Sequence, residues 1–433
     1  MQKKTLSVVL CLAMLLSMFT VISANAATPK EDPAGAQTTA QPAGARTVES
    51  PDDFSWDNAN VYFLLTDRFY NGNTSNDHSY GRATDSSGKA LSGWQSCPGT
   101  FHGGDFAGVT KKLEEGYFDK LGVNAIWISA PYEQIHGYVT TGDGFDFAHY
   151  SYHGYYVLDY TEPDKNFGTK EEFKKLVDTA HKHGVRVVCD IVMNHAGYNT
   201  IKDMIEFNFG TFKDQNTAKS YMYKLNGCKG LHSYVNYEAT TSDWGRWWGS
   251  SWIRSGLPGY SEQKGSDLTD CLSGLPDFRT ESGSKVSVPT FLQSKWSREG
   301  TLSTKNSKFG TSNTVSDFIS SWLADWVETY GVDGFRCDTA KHVEMASWKK
   351  LKTKCVAALK KWRQKNPTAV GANWDEDFWM TGEHWGYGLG KGEYFNNGFD
   401  SMINFSFSGV GVPDKNGIGG TYQNYANTIN NDP

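Results

Sequence analysis

The sequence contains no Cys-x-x-Cys pair and no His-Cys cluster, which removes the ligand spacings expected of a zinc site. It has no basic patch. Lys and Arg number 42 against 48 Asp and Glu, a net charge of −6, so nucleic acid is not an expected partner. Cysteine is sparse, seven in 433 residues, and one of them, Cys11, lies in the only long apolar run. That run, Leu6 to Ile22, follows Lys3 and Lys4 and is closed by Ala24-Asn25-Ala26. It is short for an anchor and ends in small residues, so 1–26 reads as a secretory signal peptide. No second span of membrane length follows, and a secreted or periplasmic protein with no membrane contact after cleavage is expected. Of the remaining cysteines, Cys189 and Cys337 sit in apolar strand patterns as buried thiols. Cys228 and Cys271, in loop-rich surroundings, are the best disulfide candidates.

Residues 27–53, rich in Ala, Thr, Pro, Gly and charge and without periodicity, read as a disordered leader. From Phe54 the chain alternates. Val61 to Thr66 is a short strand; Val109, Leu113, Tyr117 and Leu121 share a helical face stopped by Gly122; Val123 to Ser129 is a second strand, apolar throughout as a doubly covered parallel sheet requires. Thr169 and Glu172 make a capping box for a helix with Phe173, Leu176, Val177 and Ala180 on one face. Val185 to Val192 is a third strand, carrying Asp190 and leading to Asn194-His195. From Ala196 to about Thr314 the rhythm breaks in a segment rich in Gly, Ser, Trp and Asn, too long for a loop, so an inserted subdomain is expected. Alternation resumes with Phe318, Ile319, Trp322, Leu323, Trp326 and Val327 on a helix ended by Gly331. The fourth strand begins near Gly334, a helix with Trp348, Leu351, Cys355 and Leu359 follows, and Phe378 to Gly382 and Ser401 to Phe407 are the fifth and sixth strands. These units predict an α/β fold, a (β/α)8 TIM barrel, with a doubly wound sheet as the alternative. Its first part is 54–195, the insertion 196–314, and the continuation 315–433 ends after about strand six.

In the fourth strand Arg336 and Asp338 are two apart and share one face. A guanidinium beside a carboxylate keeps it ionised and oriented, as a nucleophile requires. Taken alone, the two residues equally fit a structural ion pair. Barrel residues at the carboxyl ends of strands share one mouth, so His195, Arg336, Asp338 and Glu383 should converge there. Two carboxylates with an Arg, a His and 14% aromatic residues suit glycosidic bond cleavage, one carboxyl as acid and one as nucleophile.

Asp190 to His195, Gly334 to His342 and Gly382-Glu383-His384 resemble, in order and spacing, signature regions of the alpha-amylase family of retaining glycoside hydrolases. His153-Gly154-Tyr155 and Leu275-Pro276-Asp277 resemble two weaker signatures, and Thr66 to Gly72 looks most like exported bacterial members of the periplasmic type. The resemblance implies Asp338 as nucleophile, Glu383 as general acid/base and Arg336 as the group that orients Asp338. It implies that His153, Tyr155, His195 and Lys341 line the cleft and bind or stack on sugar. It also implies a calcium ion between barrel and insertion, held by Asn194, Asp277 and the backbone carbonyl of His342, all oxygen ligands of the kind calcium takes. The loop Asn71 to Asp77 is a candidate for a second calcium, with a polar turn as the alternative. The expected substrate is an α-1,4-glucan polysaccharide or oligosaccharide, cut internally by a monomeric enzyme. A transglycosylase using the same catalytic pair and a non-catalytic glucan-binding protein are the alternatives. The family's fourth signature, a His-Asp pair after strand seven, has no counterpart before Pro433, so a fragment of a longer enzyme is the expectation.

Overall fold

The structure, a computed structural model, describes residues 54–140, 146–260 and 265–405; the signal peptide, the leader and the end of the sixth strand at 406–407 lie outside the described residues. Six strands form one sheet: β1 (Val61–Leu64), β2 (Ala125–Ile128), β3 (Arg186–Ile191), β4 (Gly334–Cys337), β5 (Trp379–Gly382) and β6 (Ser401–Met402). Every pairing is parallel and neighbours follow chain order. A doubly wound sheet reverses its order at a switch point; this one does not, and it is the wall of a (β/α) barrel. Among the described residues β1 and β6 are its edges.

Helices α1 (Phe106–Glu114), α2 (Lys170–Lys182), α3 (Val315–Tyr330) and α4 (Met345–Lys365) cover the sheet. Their limits follow local chemistry. Asp105 caps α1 by accepting from Gly108 N, and the expected extension to Leu121 is a separate turn, Tyr117–Lys120. The Thr169–Glu172 capping box starts α2. Thr314 caps α3, and Gly331 ends it at φ 77°, where an added Cβ would also lie 2.4 Å from the Trp362 ring of α4. That close approach seats α4 against α3.

Residues 196–314 hold more helix than their composition suggests: Ile201–Phe207, Gln215–Tyr221, Thr241–Trp244, Thr290–Arg298 and Leu302–Phe309. The segments are too short to show a helical period, and side-chain caps start the first two, Thr200 on Asp203 N and Asp214 on Thr217 N. Trp244, Trp247, Trp248, Trp252 and Trp296 are fully buried here, and Trp252 stacks on Trp322 of α3 at 5.7 Å and 4°. Much of the tryptophan surplus is therefore core rather than sugar platform.

The two disulfide candidates, Cys228 and Cys271, form no disulfide. Cys228 is a free buried thiol 3.8 Å from the Lys224 carbonyl, and Cys271 directs its Sγ to the Leu275 carbonyl at 3.1 Å, each engaged four residues away within its own turn. Cys189 and Cys337 are buried thiols in β3 and β4. No described helix is long and apolar enough to cross a membrane.

Candidate active site

Register builds the site. Arg336 on β4 stands opposite Asp190 on β3, and Cys337 opposite Gly382 on β5. The ladder continues past the strands: Asp338 N donates to Ile191 O and Glu383 N to Cys337 O, both at 2.9 Å. Gly382 has no room for a side chain, because a Cβ there would lie 2.7 Å from Met402 Sδ on β6. Three adjacent strand ends thus present three carboxyls to one guanidinium. Arg336 Nη1 lies 2.9 Å from Asp190 Oδ1 and 3.0 Å from Asp338 Oδ1, and Nη2 lies 2.9 Å from Glu383 Oε2.

Asp190, a strand residue that opens a family signature, carries no expected role of its own in the site. Its second oxygen receives Tyr155 OH at 3.1 Å and Trp127 Nε1 at 3.2 Å, and the Trp127 ring lies 5.2 Å from the Arg336 guanidinium. Period-two alternation puts Asp190 on an inward face, but only the β3–β4 register makes it the partner of Arg336. Trp127 gave no signal beyond a buried strand position.

One guanidinium cannot neutralise three buried carboxylates. Burial raises all three carboxyls above their ordinary values, with Arg336 pulling the other way. Asp338 and Glu383 are also hydrogen-bonded to each other. That bond lowers Asp338 and raises Glu383, which works toward an ionised Asp338 beside a protonated Glu383. The Thr339 N–H adds a 3.3 Å bond to Glu383 Oε2, from a residue held in the left-handed region at φ 49°.

The other expected residues fall in different relations to this centre. The Tyr155 ring stacks on His153, centroids 5.2 Å apart at 22°. His153 is buried with both ring nitrogens engaged, Nδ1 by the Tyr155 N–H at 3.1 Å and Nε2 by His149 at 3.3 Å. His195 donates from Nε2 to the Tyr155 carbonyl at 3.2 Å. The Lys341 amine is turned to Asp267 of the 196–314 segment, 3.2 Å away.

His195 also fixes its neighbour. Burial pulls it down to about 4, so it is neutral; with its hydrogen on Nε2, its Nδ1 can only accept, and it takes the Asn194 Nδ2 hydrogen at 3.3 Å. The Asn194 amide oxygen is then left 3.0 Å from the His342 carbonyl oxygen and 3.1 Å from Asp277 Oδ1. The reversed amide would satisfy those two oxygens but would set its own oxygen against a nitrogen without a hydrogen. Three oxygens facing one another with no donor among them are what a hard cation needs. Asp277 is buried, which pushes it up to about 7 although Arg254 Nε lies 2.6 Å away. In the loop Asn71 to Asp77, the buried amide oxygens of Asn71 and Asn76 also have no donor, while Asn71 Nδ2 bonds Asp77 Oδ1 at 2.8 Å. Among the described residues no three His, Cys, Asp or Glu side chains gather around a metal position. In both of these sets amide or carbonyl oxygens stand beside a single Asp.

The family described as "Alpha amylase, catalytic domain" matches residues 63–252. The chain is similar to the periplasmic alpha-amylase of Escherichia coli (strain K12), 44% identical over 364 residues, covering 82% of this chain and 51% of that protein. It is also similar to the cyclomaltodextrin glucanotransferase of Geobacillus stearothermophilus, 38% identical over 135 residues, 31% of this chain and 17% of that one. The alpha-amylase of Streptomyces lividans is 27% identical over 338 residues, 71% of this chain and 30% of its own length. The chain spans about half the length of the first of these curated relatives and less of the other two.

Proposed function

The chain belongs to the alpha-amylase family of glycoside hydrolases, and on that premise we propose that it hydrolyses internal α-1,4-glucosidic bonds of starch, glycogen or maltodextrins with retention of configuration. The observation that carries this reading is the convergence of Asp338 and Glu383 on one guanidinium, with Arg336 Nη1 3.0 Å from Asp338 Oδ1 and Nη2 2.9 Å from Glu383 Oε2.

In the proposed mechanism Glu383 gives its proton to the glycosidic oxygen as the ionised Asp338 attacks the anomeric carbon. The bond to the leaving sugar breaks and a glycosyl ester on Asp338 forms. Glu383, now a carboxylate, takes a proton from water as that water displaces Asp338, which restores both groups. Two carboxyls bridged by one guanidinium stand too close to admit an attacking water on the far side of the sugar, as retention requires. Arg336 keeps Asp338 ionised, Tyr155 offers its ring to a sugar face, Lys341 presents N–H groups to hydroxyls, and His195, whose one N–H is held by the Tyr155 carbonyl, lines the cleft by fixing Tyr155. Proton NMR of the first sugar released from an α-glucan tests this: the α-anomer is expected, and the β-anomer would refute the mechanism.

Asn194, Asp277 and the His342 carbonyl are proposed to hold calcium, which when bound supplies fixed positive charge joining β3 and the β4 loop to the 196–314 segment. The orphaned amide oxygens of Asn71 and Asn76 support a second cation beside Asp77. The Lys3-to-Ala26 pattern and the periplasmic relative support export, to the periplasm or beyond. Residues 196–314 are proposed as a subdomain inserted after β3.

A further inference from the structure

His149 lies outside every signature in the sequence. Its backbone is pinned by two 2.9 Å hydrogen bonds with Val139, and its buried ring meets that of His153, Nε2 to Nε2, at 3.3 Å. The Tyr155 N–H donates to His153 Nδ1, so that nitrogen carries no hydrogen. A neutral imidazole has one N–H, which must then be on Nε2, pointing at His149 Nε2. His149 accepts it and carries its own hydrogen on Nδ1. Both rings are neutral: burial takes His149 down to about 4 and His153 well below its ordinary value, and the Arg68 charge opposes protonation of both.

We propose that His149 is a positioning residue: by accepting the His153 Nε2 hydrogen it fixes the tautomer that receives the Tyr155 amide, and so sets where the Tyr155 ring stands. The proposal rests on the glucan-hydrolase reading above for what Tyr155 does. Tyr155 is tied at three points beyond that amide: its ring stacks on His153, its hydroxyl donates to Asp190, and its carbonyl receives His195. A His153 with the other tautomer would oppose N–H to N–H and release the amide, shifting the ring against Asp190 and Arg336. His153 keeps no ring nitrogen for a sugar hydroxyl, so its effect on the cleft passes through Tyr155.

Two measurements on the full chain test this. Long-range proton–nitrogen NMR of histidine-labelled protein at pH 7 should show His153 hydrogenated on Nε2 and His149 on Nδ1. A hydrogen on His153 Nδ1 would overturn the proposal without any assay of activity. The second compares His149→Gln and His149→Leu on a maltooligosaccharide. Glutamine still offers an acceptor oxygen, so KM should stay within about twofold, while leucine should raise KM roughly tenfold with a smaller change in kcat. Equal effects of the two, or no effect, would overturn it; should His149→Leu not fold, retention of the His153 tautomer in His149→Gln gives the same decision. If the unaltered chain neither binds nor cuts α-1,4-glucan, the functional reading fails while the NMR result still decides the role of His149.

Discussion

Arg336 and Asp190 face each other in register across β4 and β3, with Nη1 2.9 Å from one carboxylate oxygen and 3.1 Å from the other. Asp190 thereby shares the guanidinium that also serves Asp338, and its negative charge is among the causes that raise Asp338. The proposed reaction needs Asp338 ionised, so activity is lost as pH falls through its raised pKa. Removing the neighbouring charge lowers that pKa, and Asp190→Asn should shift the acid limb of kcat/KM to lower pH. A pH–rate profile checks this, and an unmoved or raised limb would contradict the assignment.

Asp338→Asn and Glu383→Gln should each reduce kcat by about a thousandfold or more, the scale of losing roughly 4 kcal/mol of transition-state stabilisation. The melting temperature of Asp338→Asn should hold steady or rise, because it removes one of the charges crowded on a single Arg, and that of Glu383→Gln should hold steady, a neutral amide replacing a neutral acid. Turnover and calorimetry on the same preparations test both halves; a large loss of stability would point to a structural ion pair instead.

Chelation should lower thermal stability and activity together, since the donor-free oxygens of Asn194, Asp277 and His342 join β3 and the β4 loop to the 196–314 segment. Asp277→Ala should reproduce the effect and become insensitive to chelator. Thermal melts with and without EDTA and added Ca2+ decide it, and an unchanged melting temperature would leave the site without an ion.

His136 should make stability fall between pH 7 and 9.5. Burial pulls it down, but hydrogen bonds from both ring nitrogens to Glu133 and Glu206, each 2.8 Å, outweigh that and raise it to about 9. A raised folded-state pKa contributes stability that is whole below the unfolded value near 6.5 and lost as pH climbs through 9, on the order of 3 kcal/mol. Asp67 and Asp277, both pushed up to about 7 by burial, change stability below this window. Denaturant melts across the range should show the decline, and His136→Gln should flatten it.

The barrel was legible because its signals are local. Apolar runs such as Ala125–Ile128, the Thr169–Glu172 box and the stop at Gly331 each depend on residues a few positions apart, and their alternation leaves few topologies. The helices of 196–314 are too short to show a period, and the candidacy of Cys228 and Cys271 for a disulfide failed because loop composition says nothing of where a thiol points.

The sequence by itself determined which chemical groups stand at the strand ends: a carboxylate two places from an Arg on β4 and another directly after β5. Only the tertiary structure decided what those groups meet. Asp190 and Arg336 are 146 positions apart and become partners through register, and His149 reaches Tyr155 only through the tautomer of a ring between them. Neither relation leaves a trace in local pattern, because strand register and proton placement are set by neighbours brought together in space, whereas propensity and capping act between neighbours along the chain.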